Sequence, residues 1–139
     1  MLLWMGMAAL AGATAATASV DTAPRPGGVY PLKPGIYVEK GVSCGTAPNV
    51  AIRQYDGRGI SSAHSHACRV RILSRKGRRY DVSQSCIAAG MGPAPRFTER
   101  QMITVTDALT FTLRMRGAGT TYRYCPVHML PPGLRSAAR

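Results

Sequence analysis

Apolar and polar residues alternate on both sides of a glycine-bearing break between Cys68 and Cys86. Val70 and Ile72 alternate with Arg69 and Arg71 before it. Tyr80 and Val82 alternate with Asp81 and Ser83 after it. Alternation at period two around a short Gly-containing turn predicts a β-hairpin. A three-residue loop at Arg75-Lys76-Gly77, with Gly77 left-handed, would set Ile72 against Tyr80 and Val70 against Val82 on one face. It would set Arg71 against Asp81 on the other. A slip of one residue would move the apolar set into water, so the pattern specifies the register.

Other stretches of the chain carry the same pattern. Gly35–Glu39 predicts a first strand, followed by a loop over residues 40–49. Val50–Tyr55 and Arg58–Ser62 flank the turn signal Asp56-Gly57. After Cys86, residues 87–96 hold Gly90, Gly92, Pro93 and Pro95 and predict the longest break. Phe97–Val105 and Leu109–Arg116 follow, the second with Leu109, Phe111, Leu113 and Met115 on one face. Thr120–Cys125 closes the series, with Tyr122 and Tyr124 on the same side. No segment after the N-terminus sustains a helical period. The fold class is therefore all-β: an antiparallel meander of about eight strands forming a small barrel or sandwich. The expected inner face holds Val70, Ile72, Tyr80, Val82, Ile103, Val105, Phe111 and Leu113, and a filled core is favoured over a pocket.

The ends differ from this middle. The first twenty residues carry no charged side chain; a short apolar run from Leu2 to Ala11 gives way to small residues. Ala16-Thr17-Ala18 offers a cleavage site and Asp21-Thr22-Ala23 a second, so residues 1–18 read as a secretory signal peptide. The n-region lacks Lys and Arg. The competing membrane anchor would need about 20 apolar residues, and the run is shorter. Residues 19–34 form a Pro/Gly-rich arm, residues 35–125 the β domain, and residues 126–139 a flexible basic tail.

Cys44, Cys68, Cys86 and Cys125 form an even set behind that leader, which implies two disulfides in an oxidising, periplasmic or extracellular compartment. Three connectivities are open. If the 87–96 break crosses the barrel and brings Cys125 back, the preferred pairing is Cys44–Cys68 with Cys86–Cys125.

Charge adds a candidate surface. Eighteen basic residues stand against six acidic ones, a formal net charge of +12, and all the basic residues follow residue 24. Such a chain is drawn to anionic partners. The candidate anion-binding residues are Arg69, Arg71, Arg75, Lys76, Arg78 and Arg79 on the hairpin, with Arg114 and Arg116 extending them. Single-stranded nucleic acid is disfavoured, because the tyrosines that would stack on bases fall on the core face. Arginine-rich composition on an ordinary solvated surface is the alternative account.

Catalytic chemistry has little to work with. Asp56 and Asp107 fit turns, Asp81 an arginine partner, and Asp21 the arm. Glu39 and Glu99 remain, with nothing bringing them together for acid–base work. Ser62 with His64 lacks a nucleophile-elbow context. His64, His66 and Cys68 would share one face of an extended segment, and His128 and Met129 could join from the tail as metal ligands. Cys68 is expected to be oxidised, so no metal site and no other cofactor is expected.

Pro34-Gly35-Ile36-Tyr37, Cys68-x-Val70, Gly77-x-x-Tyr80-x-Val82, Cys86 and Tyr122-Arg123-Tyr124-Cys125 resemble small exported proteobacterial proteins of unassigned function. The resemblance implies a periplasmic β-protein with a lipocalin-like barrel and supplies no reaction. Periplasmic lysozyme inhibitors also use small disulfide-bonded barrels, but a surface this basic would repel a basic enzyme. The expected function is a non-catalytic binding or structural module at an anionic cell-envelope surface or on an acidic protein. The alternatives are a lipocalin-like small-ligand carrier and an enzyme not recognisable from its motifs.

Overall fold

The computed structural model describes residues 24–90 and 95–138. The signal peptide read from residues 1–18, and the first part of the arm, lie outside the described residues. Eight antiparallel strands form one sheet: β1 (Gly35–Glu39), β2 (Ile52–Tyr55), β3 (Ile60–Ser61), β4 (Ser65–Lys76), β5 (Arg79–Ala88), β6 (Arg96–Asp107), β7 (Thr110–Arg114) and β8 (Thr120–Cys125). Their order is β3-β2-β1-β8-β7-β6-β5-β4. The first strand thus pairs with the last, and the meander curls into a nearly closed barrel whose one seam lies between β3 and β4. Near-closure confines the exposed edges that so many short strands would otherwise leave to that seam. One helical turn, α1 (Pro132–Arg135), follows the last strand, and among the described residues no helix is long and apolar enough to cross a membrane.

The interior is aromatic. Tyr37, Tyr55, Tyr80, Tyr122, Tyr124 and Phe111 are buried with Val82, Ile103 and Val105. Their rings meet edge-on or stacked, as in Tyr37–Phe111 (centroids 5.1 Å apart) and Phe111–Tyr122 (5.3 Å), arrangements that add to area burial. Arm residues 24–34 form no strand, yet they are more than a linker: Tyr30 (1% exposed) and Leu32 (0%) are inserted among the core rings. Val29 N–H donates to the Gly57 carbonyl and Lys33 N–H to the Ala108 carbonyl, so the arm crosses the loops at the β2–β3 and β6–β7 end. That end of the barrel is plugged.

The organising hairpin forms, with a different register. Val70 faces Gln84, Ile72 faces Val82, and Arg71 faces Ser83 rather than Asp81. An irregularity between Ile72 and Ser74 takes up Leu73, and the loop is the two residues Gly77-Arg78. Gly77 alone has positive φ (59°), the pattern of a type II′ turn. Asp81 pairs instead with Arg100 on β6, at 2.6 Å. Ile72 was expected in the core and is 42% exposed. The reason is the two-residue length of β3: beyond Val70, the twelve-residue β4 has no partner strand across the seam.

The disulfides are Cys44–Cys125 and Cys68–Cys86, which corrects the expected Cys44–Cys68 and Cys86–Cys125. The break after Cys86 does not cross the barrel. Ile87 pairs with Arg96 and the β5–β6 ladder continues from there, so the chain simply reverses. Cys68 and Cys86 therefore meet as neighbours on adjacent strands, and Cys125 is left to meet Cys44.

A second apolar cluster lies outside the barrel. Ile36, Val38 and Cys125 on the outer faces of β1 and β8 pack with Cys44, Val127 and Leu130. The tail was expected to be loose over residues 126–139; its described part, residues 126–138, folds back here, with Leu130 and Ala138 each 2% exposed. Burying a leucine side chain fully is worth roughly 1.5–3 kcal/mol, enough to hold so short a segment that is also tethered at Cys125.

Candidate binding surfaces: a basic hairpin and an open barrel mouth

All eight candidate cations are exposed. None forms an ion pair among the described residues. Arg69 and Arg71 stand opposite Ser85 and Ser83, and Lys76 opposite Arg79. These positions alternate with inward-facing Val70, Tyr80 and Val82, so strand geometry puts them on the solvent side. Two others crown the turn with defined contacts. The Arg75 guanidinium lies 4.9 Å from the Tyr80 ring centroid and donates to the Gly77 carbonyl at 3.0 Å. Arg78 donates to the Thr106 carbonyl.

The two β7-side arginines separate. Arg114 donates to Met102 Sδ at 3.3 Å and shares an outer-face groove with Arg79. Arg116 lines a different groove beside Arg100 and Glu99. Arg79 and Arg114 thus share a surface, from which Arg116 lies apart, while the other hairpin cations lie along β4 and its turn. Ile72 (42% exposed) and Leu73 (41%) belong to the same stretch of β4, and the sequence pattern had placed Ile72 inside.

The other end of the barrel is open. A cleft of about 270 Å³ enters the interior there. Gln84 and Gln101 are its buried polar residues, 3% and 6% exposed. Ile60, Phe97, Leu113 and Met115 supply apolar wall, and Arg53 and Glu99 face in from two strands. In the strand order, β2 and β6 stand four places apart among eight, so Arg53 and Glu99 lie on opposite walls. Arg53 Nη1 donates to the Val50 and Ile52 carbonyls at 3.0 and 2.8 Å. Its guanidinium lies 5.0 Å from the Tyr122 ring centroid. Burial raises the Tyr122 pKa, and the neighbouring Arg53 charge works against that rise. Gln101 Oε1 is buried with no donor.

This polar mouth was not read from the sequence. Gln84 and Gln101 do stand at inward positions of strands otherwise filled by Val82, Ile103 and Val105. Polar residues in an apolar period were the available signal.

The proposed metal ligands are not brought together. Ala67 has φ +48° and the β4–β5 register shifts between His66 and Arg69, so alternation breaks there. His64 lines the barrel mouth, His66 lines an outer pocket beside Leu134, and Cys68 is oxidised. No group of three His, Cys, Asp or Glu suited to a metal occurs among the described residues. Ser62 Oγ accepts from the His64 backbone N–H at 3.2 Å, which is a turn contact rather than a catalytic pair. Asp56 Oδ1 accepts from the N–H groups of Arg58 and Gly59, and Asp107 Oδ1 from that of Leu109, so both carboxylates brace turns.

Fold and surfaces together define a disulfide-bonded all-β barrel with one plugged end, one polar open end and a basic hairpin. Comparison with protein families, curated proteins and solved structures finds no match to this chain. Barrel shape alone assigns no function, so any functional reading rests on these surfaces.

Proposed function

We propose that this protein is a non-catalytic module, exported to the periplasm or secreted, that binds anionic amphiphilic surfaces of the cell envelope through its β4–β5 hairpin. The observation that carries this reading is that cations forming no ion pair among the described residues stand beside exposed apolar side chains on one short stretch. Arg71, Arg75, Lys76 and Arg78 flank Ile72 and Leu73, all of them exposed. Charge alone would have a simpler explanation, since cations on an unpaired strand edge discourage edge-to-edge aggregation. That explanation does not account for a neighbouring Ile and Leu left in water. A headgroup-and-acyl boundary accommodates both kinds of side chain, with about 1 kcal/mol from each cation near an anionic surface. Two disulfides support an oxidising compartment.

The experiment is vesicle flotation with phosphatidylglycerol and with phosphatidylcholine liposomes. Wild type should float with the anionic vesicles only and release as salt shortens the Debye length below about 8 Å. Arg75→Glu with Arg78→Glu should abolish flotation, and Leu73→Ser should weaken it. Equal binding to both liposomes, or none to either, would refute the proposal.

A further inference from the structure

The barrel mouth lies at the opposite end from the hairpin turn. Along β5 and β6 the ladder runs from Arg79↔Thr104, by the turn, to Cys86↔Phe97, by the cleft. It is therefore a second surface, independent of the first. Three features of its chemistry point one way.

Its size excludes large or long-chain ligands. About 270 Å³ is at or just below the lower end of ordinary small-molecule sites, which run from roughly 300 to 1,000 Å³. Its charges are opposed without being paired. Arg53 on β2 and Glu99 on β6 stand on facing walls, both half-buried, with no ion pair between them. A carbonyl also goes unused. Gln101 Oε1 is buried without a donor, two residues along β6 from Glu99 on the same inward face. An unsatisfied buried acceptor costs about 1–3 kcal/mol, which Gln84 on β5, opposite Glu99, avoids by bonding to Ile60. Glu99 and Gln101 thus offer two acceptors on one wall, Arg53 a cation on the other, and Phe97, Leu113 and Met115 apolar surface among them.

We infer that the cleft binds a small zwitterion of the amino-acid class, its carboxylate toward Arg53, its ammonium toward Glu99 and Gln101, and an apolar side chain against Phe97, Leu113 and Met115. The ammonium supplies the donor that Gln101 lacks. Each end of the ligand meets its complement only if both charges are present, so the site discriminates against molecules that carry one.

Isothermal titration calorimetry with free leucine, methionine and phenylalanine tests this, with N-acetyl-leucine and leucinamide as ligands that each lack one charge. At least one free amino acid should bind. Each derivative of leucine should bind at least about tenfold more weakly than leucine, the least expected from losing a charged hydrogen bond. Glu99→Gln should weaken leucine by a similar factor while leaving any N-acetyl-leucine binding unchanged, a pattern that misfolding would not produce. Arg53→Gln should do the reverse, weakening N-acetyl-leucine and sparing leucinamide. Circular dichroism of each variant confirms the fold. No heat from any free amino acid up to about 10 mM, well beyond useful affinity for so small a site, overturns the inference. So does N-acetyl-leucine binding as tightly as leucine. Glu99→Gln should leave vesicle flotation intact, so the two sites can fail separately.

Discussion

The side-chain amide of Gln84 on β5 binds both backbone groups of Ile60 on β3. Its Oε1 accepts from the Ile60 N–H at 2.8 Å and its Nε2 donates to the Ile60 carbonyl at 2.8 Å. One side chain thus reproduces a strand pairing where the ladder is missing. The seam beside it has one direct backbone bond, from Val70 N–H to the Arg58 carbonyl at 2.9 Å. It is also tight: a Cβ on Gly59 would lie 2.7 Å from the Cys68 carbonyl oxygen. Gln84→Leu keeps the volume but strands a buried donor and a buried acceptor. It should destabilise the protein by about 3 kcal/mol, read as a lower urea midpoint. Amide exchange at Ile60 should accelerate more than at Val82.

The two disulfides should differ in what they contribute. Cys44–Cys125 closes a separation of 81 residues and Cys68–Cys86 one of 18. Loop-closure entropy puts these at about 4.5 and about 3 kcal/mol. Replacing Cys44 and Cys125 together by Ser should therefore cost more than replacing Cys68 and Cys86, by about 1 kcal/mol or more. The gap should widen because Cys44 and Cys125 also belong to the apolar cluster that seats the tail. Urea denaturation of the two double variants measures it, and non-reducing peptide maps should recover the same two bridges from wild type.

The strands were legible because their period is local. Gly35–Glu39 and Thr120–Cys125 have the boundaries the alternation gave, and the inward placement of Tyr80, Tyr122 and Tyr124 followed from it. What was not legible depends on partners distant in sequence. Tyr30 and Leu32 sit among prolines and glycines, with no period to show that they are buried. The exposure of Ile72 is decided by the length of β3, a different strand. The disulfide pairing turned on whether residues 87–96 cross the barrel or reverse, and composition does not distinguish a crossover from a hairpin loop. The barrel mouth was written in Gln84 and Gln101, two polar residues at inward positions, but their meaning depends on which wall faces them.

Two buried tyrosines make opposite predictions for the same substitution. Tyr37 donates its hydroxyl to the Lys33 carbonyl at 2.7 Å, with the Ala108 carbonyl at 3.2 Å, and so ties the arm to the β6–β7 turn. Tyr30 Oη is buried and has no partner. Tyr37→Phe leaves those carbonyls without the hydroxyl and should cost about 1 kcal/mol or more. Tyr30→Phe removes an unsatisfied polar group while keeping the ring against Tyr55 and Tyr80, so it should be neutral or stabilising by up to about 2 kcal/mol. Thermal unfolding of the two variants side by side decides the sign of each.

The same tyrosines set an alkaline limit on the fold. Burial is the main cause that raises the pKa of Tyr30, Tyr37, Tyr55 and Tyr122 in the native state. In the unfolded chain they ionise near their ordinary value of about 10. Above that pH the unfolded state holds fewer protons than the native one, so stability falls as pH rises. The contribution of these groups is complete below about pH 10 and is lost as pH climbs toward the raised native values. Arginine, which dominates the basic residues, stays charged through this range. Urea midpoints should therefore be level from neutral pH to about 9 and drop steadily beyond it. Because Tyr30→Phe removes one of the shifted groups, that variant should lose stability less steeply than wild type over the same interval. An identical slope for the two proteins would show that Tyr30 does not contribute to the limit.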